Sequence, residues 1–181
     1  MLKKILILVP VAIIALLALI LIAAAFQPDR FHVERSATLD AGAASLFEQV
    51  NDHRNFEKWN PFTEGDPDVK NTYSGPNSGV GAACSWEGGK SGKGISTITE
   101  SIPGELVRLR MDWMEPMEGT STVDFVFKPE GGKTHVTWKM YGPQTFAGKV
   151  CSLFMNTEKI CGPMFEKGLA NLGKVAGKSQ P

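Results

Sequence analysis

Side chains able to act as general acids, bases or nucleophiles are sparse in this chain, which holds three histidines and three cysteines among 181 residues. His32 and His135 fall on the polar faces of alternating segments, where a histidine is an ordinary surface group. His53 lies in a loop-rich helical region near Trp59 and could overhang the mouth of a cavity, so it is the one weak candidate for acid–base chemistry. An ordinary structural histidine is the plainer reading of the same residue. Cys84, Cys151 and Cys161 show no CxxC or His/Cys ligand spacing, so no metal site is expected and the three read as small buried hydrophobes. On one continuous helix Cys151 and Cys161 would stand about 15 Å apart, against the roughly 7 Å a disulfide tolerates. Gly88-Gly89-Lys90-Ser91-Gly92 has the composition of a phosphate loop, but it joins two strands and leads into no helix. No GxSxG, HExxH, GxGxxG or P-loop pattern occurs, and no cofactor is expected.

The richer signal is apolar. Trp86, Met111, Trp113, Phe125, Phe127, Trp138 and Met140 all fall on the oily faces of alternating segments. Each taken singly is ordinary core, but a sharply curved sheet and one helix cannot fill every gap between them, and a leftover apolar cavity is the default ligand site. The expectation is a pocket lined by these side chains and closed by Phe154 and Phe165. Asp112 and Lys139 point away from that side by alternation.

The elements that must position these rings are legible from period. Residues 31–39 alternate, with Arg35 interrupting the apolar face, so one end of that face must reach solvent or a partner. Asp40 or Ser45 offers an N-cap for a helical stretch carrying Leu46, Phe47, Val50, Phe56 and Trp59, which Pro61 ends. Strands then follow at residues 67–73, 82–87, 94–102, 105–113, 123–127 and 135–140, separated by Gly- and Pro-rich turns. From Phe146 to Leu172 the period shifts to three and four, an amphipathic helix that Pro163 should kink or split near Lys159. Residues 177–181 read as a frayed end.

Residues 5–26 form an uncharged apolar run behind Lys3 and Lys4. A bilayer core about 30 Å thick needs roughly 20 such residues. Leu, Ile, Val and Phe each contribute about 0.3–0.6 kcal/mol to insertion, so the run gains roughly 5 kcal/mol or more, outweighing Pro10. Residues 1–27 are therefore read as a transmembrane anchor with a cytoplasmic N-terminus, followed by one domain over residues 28–178 outside a bacterial-type plasma membrane. Cleavage after Ala23-Ala24-Ala25, releasing a secreted domain, is the alternative. With 19 basic and 19 acidic residues the chain has no electrostatic footprint for nucleic acid.

The residues that punctuate this order resemble a known family. Val33-Glu34-Arg35-Ser36, Trp59-Asn60-Pro61-Phe62, Tyr73-Ser74-Gly75, Gly79-Val80-Gly81-Ala82 with Trp86, residues 131–138 and residues 165–172 together resemble the START-like, helix-grip (SRPBCC) superfamily, in its polyketide cyclase/dehydrase-like branch. The resemblance spans nearly all of the chain beyond the apolar run. It implies an α+β fold: a curved antiparallel sheet of about seven strands wrapped around a long C-terminal helix, with two short helices after the first strand. It also implies a hydrophobic cavity between sheet and helix, in which members bind lipids, sterols or polyketides, or cyclise and dehydrate polyketides. The matched motifs are structural glycines and aromatics, so no catalytic residue is carried over. The expected function is binding of a hydrophobic small molecule or lipid by a membrane-anchored domain. An enzyme of cyclase/dehydrase type and a partner-binding domain with a collapsed cavity are the alternatives.

Overall fold

Alternating apolar and polar residues from Arg30 onward produce seven strands, paired edge to edge in one antiparallel sheet. The computed structural model describes residues 2–177. In chain order these are helix α1 (Leu2–Ala25), strand β1 (Arg30–Leu39), and helices α2 (Ala43–Asn51) and α3 (His53–Glu57). Strands β2 (Lys70–Ser74), β3 (Ala83–Gly88), β4 (Gly92–Ile102), β5 (Leu106–Glu115), β6 (Gly119–Glu130) and β7 (Lys133–Pro143) follow, then helices α4 (Phe146–Ser152) and α5 (Thr157–Gly177). A 3₁₀ turn at Thr63–Gly65 interrupts the loop between α3 and β2. The sheet order is β1-β7-β6-β5-β4-β3-β2, so the only long jump brings β1 beside β7. The chain is therefore α+β, as its period changes imply.

Helix α5 buries Phe165, Gly168, Leu169, Leu172 and Ala176, a single stripe at helical spacing. It lies against β1 and β7, while α2 leans on β5 and β6. Two close approaches fix its seat. A Cβ on Gly168 would stand 2.5 Å from Cζ3 of Trp138, and one on Gly162 would stand 2.2 Å from Nη2 of Arg35. Arg35, the charged break in the oily face of β1, meets a partner within the fold. Its Nη1 donates to Oε1 of Glu158 at 2.6 Å and its Nε to Oε1 of Glu166 at 2.7 Å, both on α5. With α5 on one side of the sheet and α2 over β5 and β6, the inner face of β2 to β4 is left to α3 and the loop before β2.

Three local expectations are corrected. Helix α2 starts from Gly42 with no side-chain cap, and Ser45 sits inside the helix rather than before it. The cap chemistry falls one helix later, where Asp52 accepts from the Arg54 amide at 2.8 Å. The C-terminal helix breaks at residues 153–156 rather than near Lys159, and Pro163 sits within α5. Amides at Phe154 and Met155 close α4 onto the Cys151 carbonyl, and the Asn156 side chain accepts from the Lys159 amide to restart the helix. Pro163 removes only the bond to the carbonyl of Lys159, an exposed residue whose carbonyl water can satisfy. Gly177 is the last residue of α5, and the rest of the expected frayed end lies outside the described residues.

Helix α1 is the one helix among the described residues long and apolar enough to cross a membrane. Its C-terminal end packs against α4, and Ala24 is buried there.

Candidate ligand cavity

Strand register sets two rows of inward-facing residues on the uncovered half of the sheet. One runs Tyr73, Cys84, Ser96, Met111, Ser121 across β2 to β6; the next runs Asn71, Trp86, Gly94, Trp113, Gly119. The small residues leave space that the large ones do not fill. At Gly94 a Cβ would lie 2.4 Å from the Trp86 ring, so that indole lies across β4 and meets Trp113 edge-on at 5.3 Å. Both indoles are held by their nitrogens: Trp86 Nε1 donates to the Ser91 carbonyl at 3.2 Å and Trp113 Nε1 to Ser121 Oγ at 2.9 Å.

Over these rows lies a cavity of about 410 Å³. Its floor is Trp86, Ser96, Met111 and Trp113; its helix-side wall is Cys161, Met164 and Phe165; Phe56, Phe62 and Val69 roof it. Trp138 forms the inner end, where it stacks on Phe165 at 4.2 Å and packs on Phe125 at 4.8 Å. The Trp138 ring is 3 % exposed, and its Nε1 has no hydrogen-bond acceptor among the rings of Phe56, Trp59 and Phe125 that surround it. The aromatic cluster is therefore meshed at that end, and the void lies beyond it, toward Trp86 and Trp113.

Seven of the residues named from sequence line this space: Trp86, Met111, Trp113, Phe125, Trp138, Met140 and Phe165. Phe127 does not. It lies in the core 6.1 Å from Phe47, because β6 there runs beneath α2. Phe154 does not close the cavity either; it stands 72 % exposed in the segment that separates α4 from α5. The break in the helix carries it outward. Alternation passed over Ser96 and Tyr73, since neither is apolar, although both share inward positions with residues that were named.

Polar groups gather at the β2 side. The Tyr73 hydroxyl donates to Oε2 of Glu57, Asn71 donates to Oε1 of the same carboxylate at 3.0 Å, and the Arg54 guanidinium lies 4.6 Å over the Tyr73 ring. Burial, with Glu57 beside it, pushes the Tyr73 hydroxyl well above its ordinary range. The same causes push the Cys84 thiol up to about 11, so it stays protonated and is no nucleophile at neutral pH. Burial also raises Cys161. All three cysteines are free, although the helix break removes the continuous helix that would hold Cys151 and Cys161 apart. Asp66 pins the roof to the floor: its Oδ2 accepts from the amides of Lys90 and Ser91 at 2.9 and 2.8 Å, and those donors hold its carboxyl below the usual range.

His53, 6 % exposed, also borders the cavity, and its Nε2 donates to the Ala82 carbonyl at 3.3 Å. Desolvation lowers its pKa from the ordinary 6.5, so the ring is neutral at pH 7 and Nδ1 is its basic nitrogen. His32 and His135 lie on the outer face of β1 and β7 beside Glu34 and Thr38, and Asp112 and Lys139 pair outside with Arg110 and Glu34. Among the described residues no group of three His, Cys, Asp or Glu side chains is placed to hold a metal ion.

Solved structures share this architecture at low sequence identity, a likeness that speaks for the fold alone. Protein CV1439 from Chromobacterium violaceum is 15% identical with a TM-score of 0.58, over 83% of this chain and 98% of that one. Protein MLL2253 from Mesorhizobium loti is 11% identical with a TM-score of 0.61, over 83% of this chain and 100% of that one. DynU16, encoded in the dynemicin biosynthetic locus, is 15% identical with a TM-score of 0.56, over 86% of this chain and 49% of that one. No curated protein sequence matches this one. The family model described as polyketide cyclase / dehydrase and lipid transport matches residues 30–177, from the first residue of β1 to the last of α5. The chain thus belongs to the polyketide cyclase / dehydrase and lipid transport family, with the SRPBCC-type helix-grip fold.

Proposed function

We propose that this protein is a membrane-anchored binding domain for a hydrophobic small molecule or lipid, held between the sheet and α5. The observation that carries the reading is the cavity itself. Its 410 Å³ falls within the roughly 300–1,000 Å³ of small-molecule sites, and its walls are mostly aromatic and thioether groups with polar side chains at one side. The ligand this suits is an apolar body with one polar end directed toward Glu57, Asn71 and Tyr73. Helix α1 supports retention at a plasma membrane of bacterial type, N-terminus inside and domain outside. Tethering raises the domain's concentration near lipid-soluble ligands.

The test is quenching of tryptophan fluorescence by dibromostearate, whose bromines act only at short range, on the cavity-lining Trp86, Trp113 and Trp138. Saturable quenching is expected for residues 28–181. Ser96→Phe, which places a ring in the empty space above β4, should weaken it by about tenfold or more, a loss of at least 1.4 kcal/mol of binding, while cooperative unfolding is kept. Unsaturable quenching, or equal quenching of both proteins, would refute binding in this cavity.

A second reading, a cyclase- or dehydrase-type enzyme, is favoured by the neutral His53 on the cavity wall. It requires that a His53→Gln protein still take up dibromostearate yet lose turnover of a polyketide-like compound. Turnover that survives the substitution removes His53 as its base.

A further inference from the structure

A second groove of about 350 Å³ lies beside the first cavity, and Trp113, Met140 and Cys161 form a wall common to both. It runs between the β5–β6 hairpin and the α4–α5 break, with Met117, Met155 and Ile160 along it. This is the end of the sheet from which α1 departs. Arg30 opens β1 opposite Pro143, the last residue of β7, and the turn at residues 116–118 joins β5 to β6 at that same end.

Only residues 26–29 separate α1 from β1. Four residues reach about 14 Å at most, and these are also tied down. The Asp29 carbonyl accepts from the Gln144 amide at 2.8 Å, and its carboxylate pairs with Lys149 of α4 at 2.5 Å. A bilayer around α1 must therefore touch this end of the domain. Met114, Met117, Phe146, Phe154, Met155 and Ile160 are all exposed there, whereas the far end of the sheet exposes Val80 and Ile102. Phe154 is 72 % exposed, with none of the described residues covering it. The groove carries no cluster of basic side chains, and of its two carboxylates, Glu115 and Glu118, the first pairs with Lys93. Contact through apolar side chains with an uncharged lipid surface suits that composition.

We infer that the bilayer holding α1 covers this end of the domain, and that the second groove is the doorway through which the ligand passes between membrane and cavity, across Trp113, Met140 and Cys161. The inference rests on the anchored, ligand-binding reading above. Met140 is the flexible member of that wall, and its movement joins the two spaces.

The full chain in phosphatidylcholine nanodiscs tests it. With p-benzoylphenylalanine at position 154 or 117, illumination should give lipid adducts, and at position 80 or 102 it should not. A Met117→Asp, Ile160→Asp protein should take up dibromostearate from the nanodisc about tenfold more slowly, with its equilibrium quenching unchanged, because two charges now stand at the lipid contact. Adducts equal at both ends, adducts to a second protein chain instead of lipid, or an unchanged uptake rate would each overturn the doorway. A chain that carbonate strips from the membrane overturns the anchored reading and the doorway with it. Absent quenching even at equilibrium shows instead that the binding reading has failed, and the doorway falls with it.

Discussion

Among the described residues, His53 is the one titratable side chain on the cavity wall that is less than a tenth exposed. Its ring is kept neutral by desolvation, and the Ala82 carbonyl opposes that only in part. Because its folded pKa lies below 6.5, the contribution to stability is complete above pH 6.5. It is lost as pH falls through the window from there to the folded value, where the unfolded chain takes up a proton first. The urea midpoint should therefore drop between pH 7.5 and 5.5, and a His53→Gln protein should show a flatter profile. Equal slopes would mean that the ring is solvated. From sequence this residue could be set near a cavity mouth, since it sits close to Trp59, but its burial could not be read. Its partner Ala82 is brought alongside by the pairing of Gly81 and Ala82 with Ile98, far along the chain. Phe154 failed in the opposite sense. Helical period assigned it to an inward stripe, and the break that turns it outward is made by backbone bonds to Cys151, which have no signature in residue type.

Alternation set the faces of β3, β5, β6 and β7 because one oily side and one wet side leave a period-two trace in the chain. What alternation cannot report is which inward residues touch each other, and the hollow depends on that. Gly94 shows it: in sequence it is a turn-proximal glycine, in the fold it is the bed of the Trp86 ring. Gly94→Ala would bring a methyl 2.4 Å from that ring and 2.7 Å from the Asp112 carbonyl, so the indole must swing into the cavity or β4 must shift. Overpacking of this kind costs about 1–3 kcal/mol, and the expected result is a lower urea midpoint together with weaker dibromostearate quenching. A substitution that leaves both unchanged would mean that Trp86 does not lie over β4. The same logic explains why Pro163 was a poor guide to the helix break. A proline early in a helix removes one bond near an exposed turn, while residues 153–156 must bridge two helices that pack on different partners, α4 on α1 and α5 on β1.

At the scale of the whole molecule, α5 covers β1 and β7, α2 covers β5 and β6, and the remainder of the sheet is roofed by α3 and a loop that Asp66 ties down. The hollow is the consequence of that division, and no stretch of sequence contains it. The tether is the reverse case, since the apolar run and the short connection to β1 are both plain in the chain. Its length is a functional variable in the anchored reading. Inserting twelve Gly and Ser residues between Phe26 and Gln27 keeps α1 and the Asp29 contacts with Gln144 and Lys149, but lengthens the connection between α1 and β1 from four residues to sixteen. Effective concentration falls as roughly the three-halves power of tether length, so contact with the bilayer, and the rate of ligand uptake from it, should fall about eightfold. Equilibrium affinity should not change, because the insertion touches no wall of the cavity. Uptake as fast as in the unaltered chain would mean that the domain reaches lipid without help from its tether. Slower uptake with weaker affinity would mean that α1 shapes the cavity through α4, a structural role in place of a positional one.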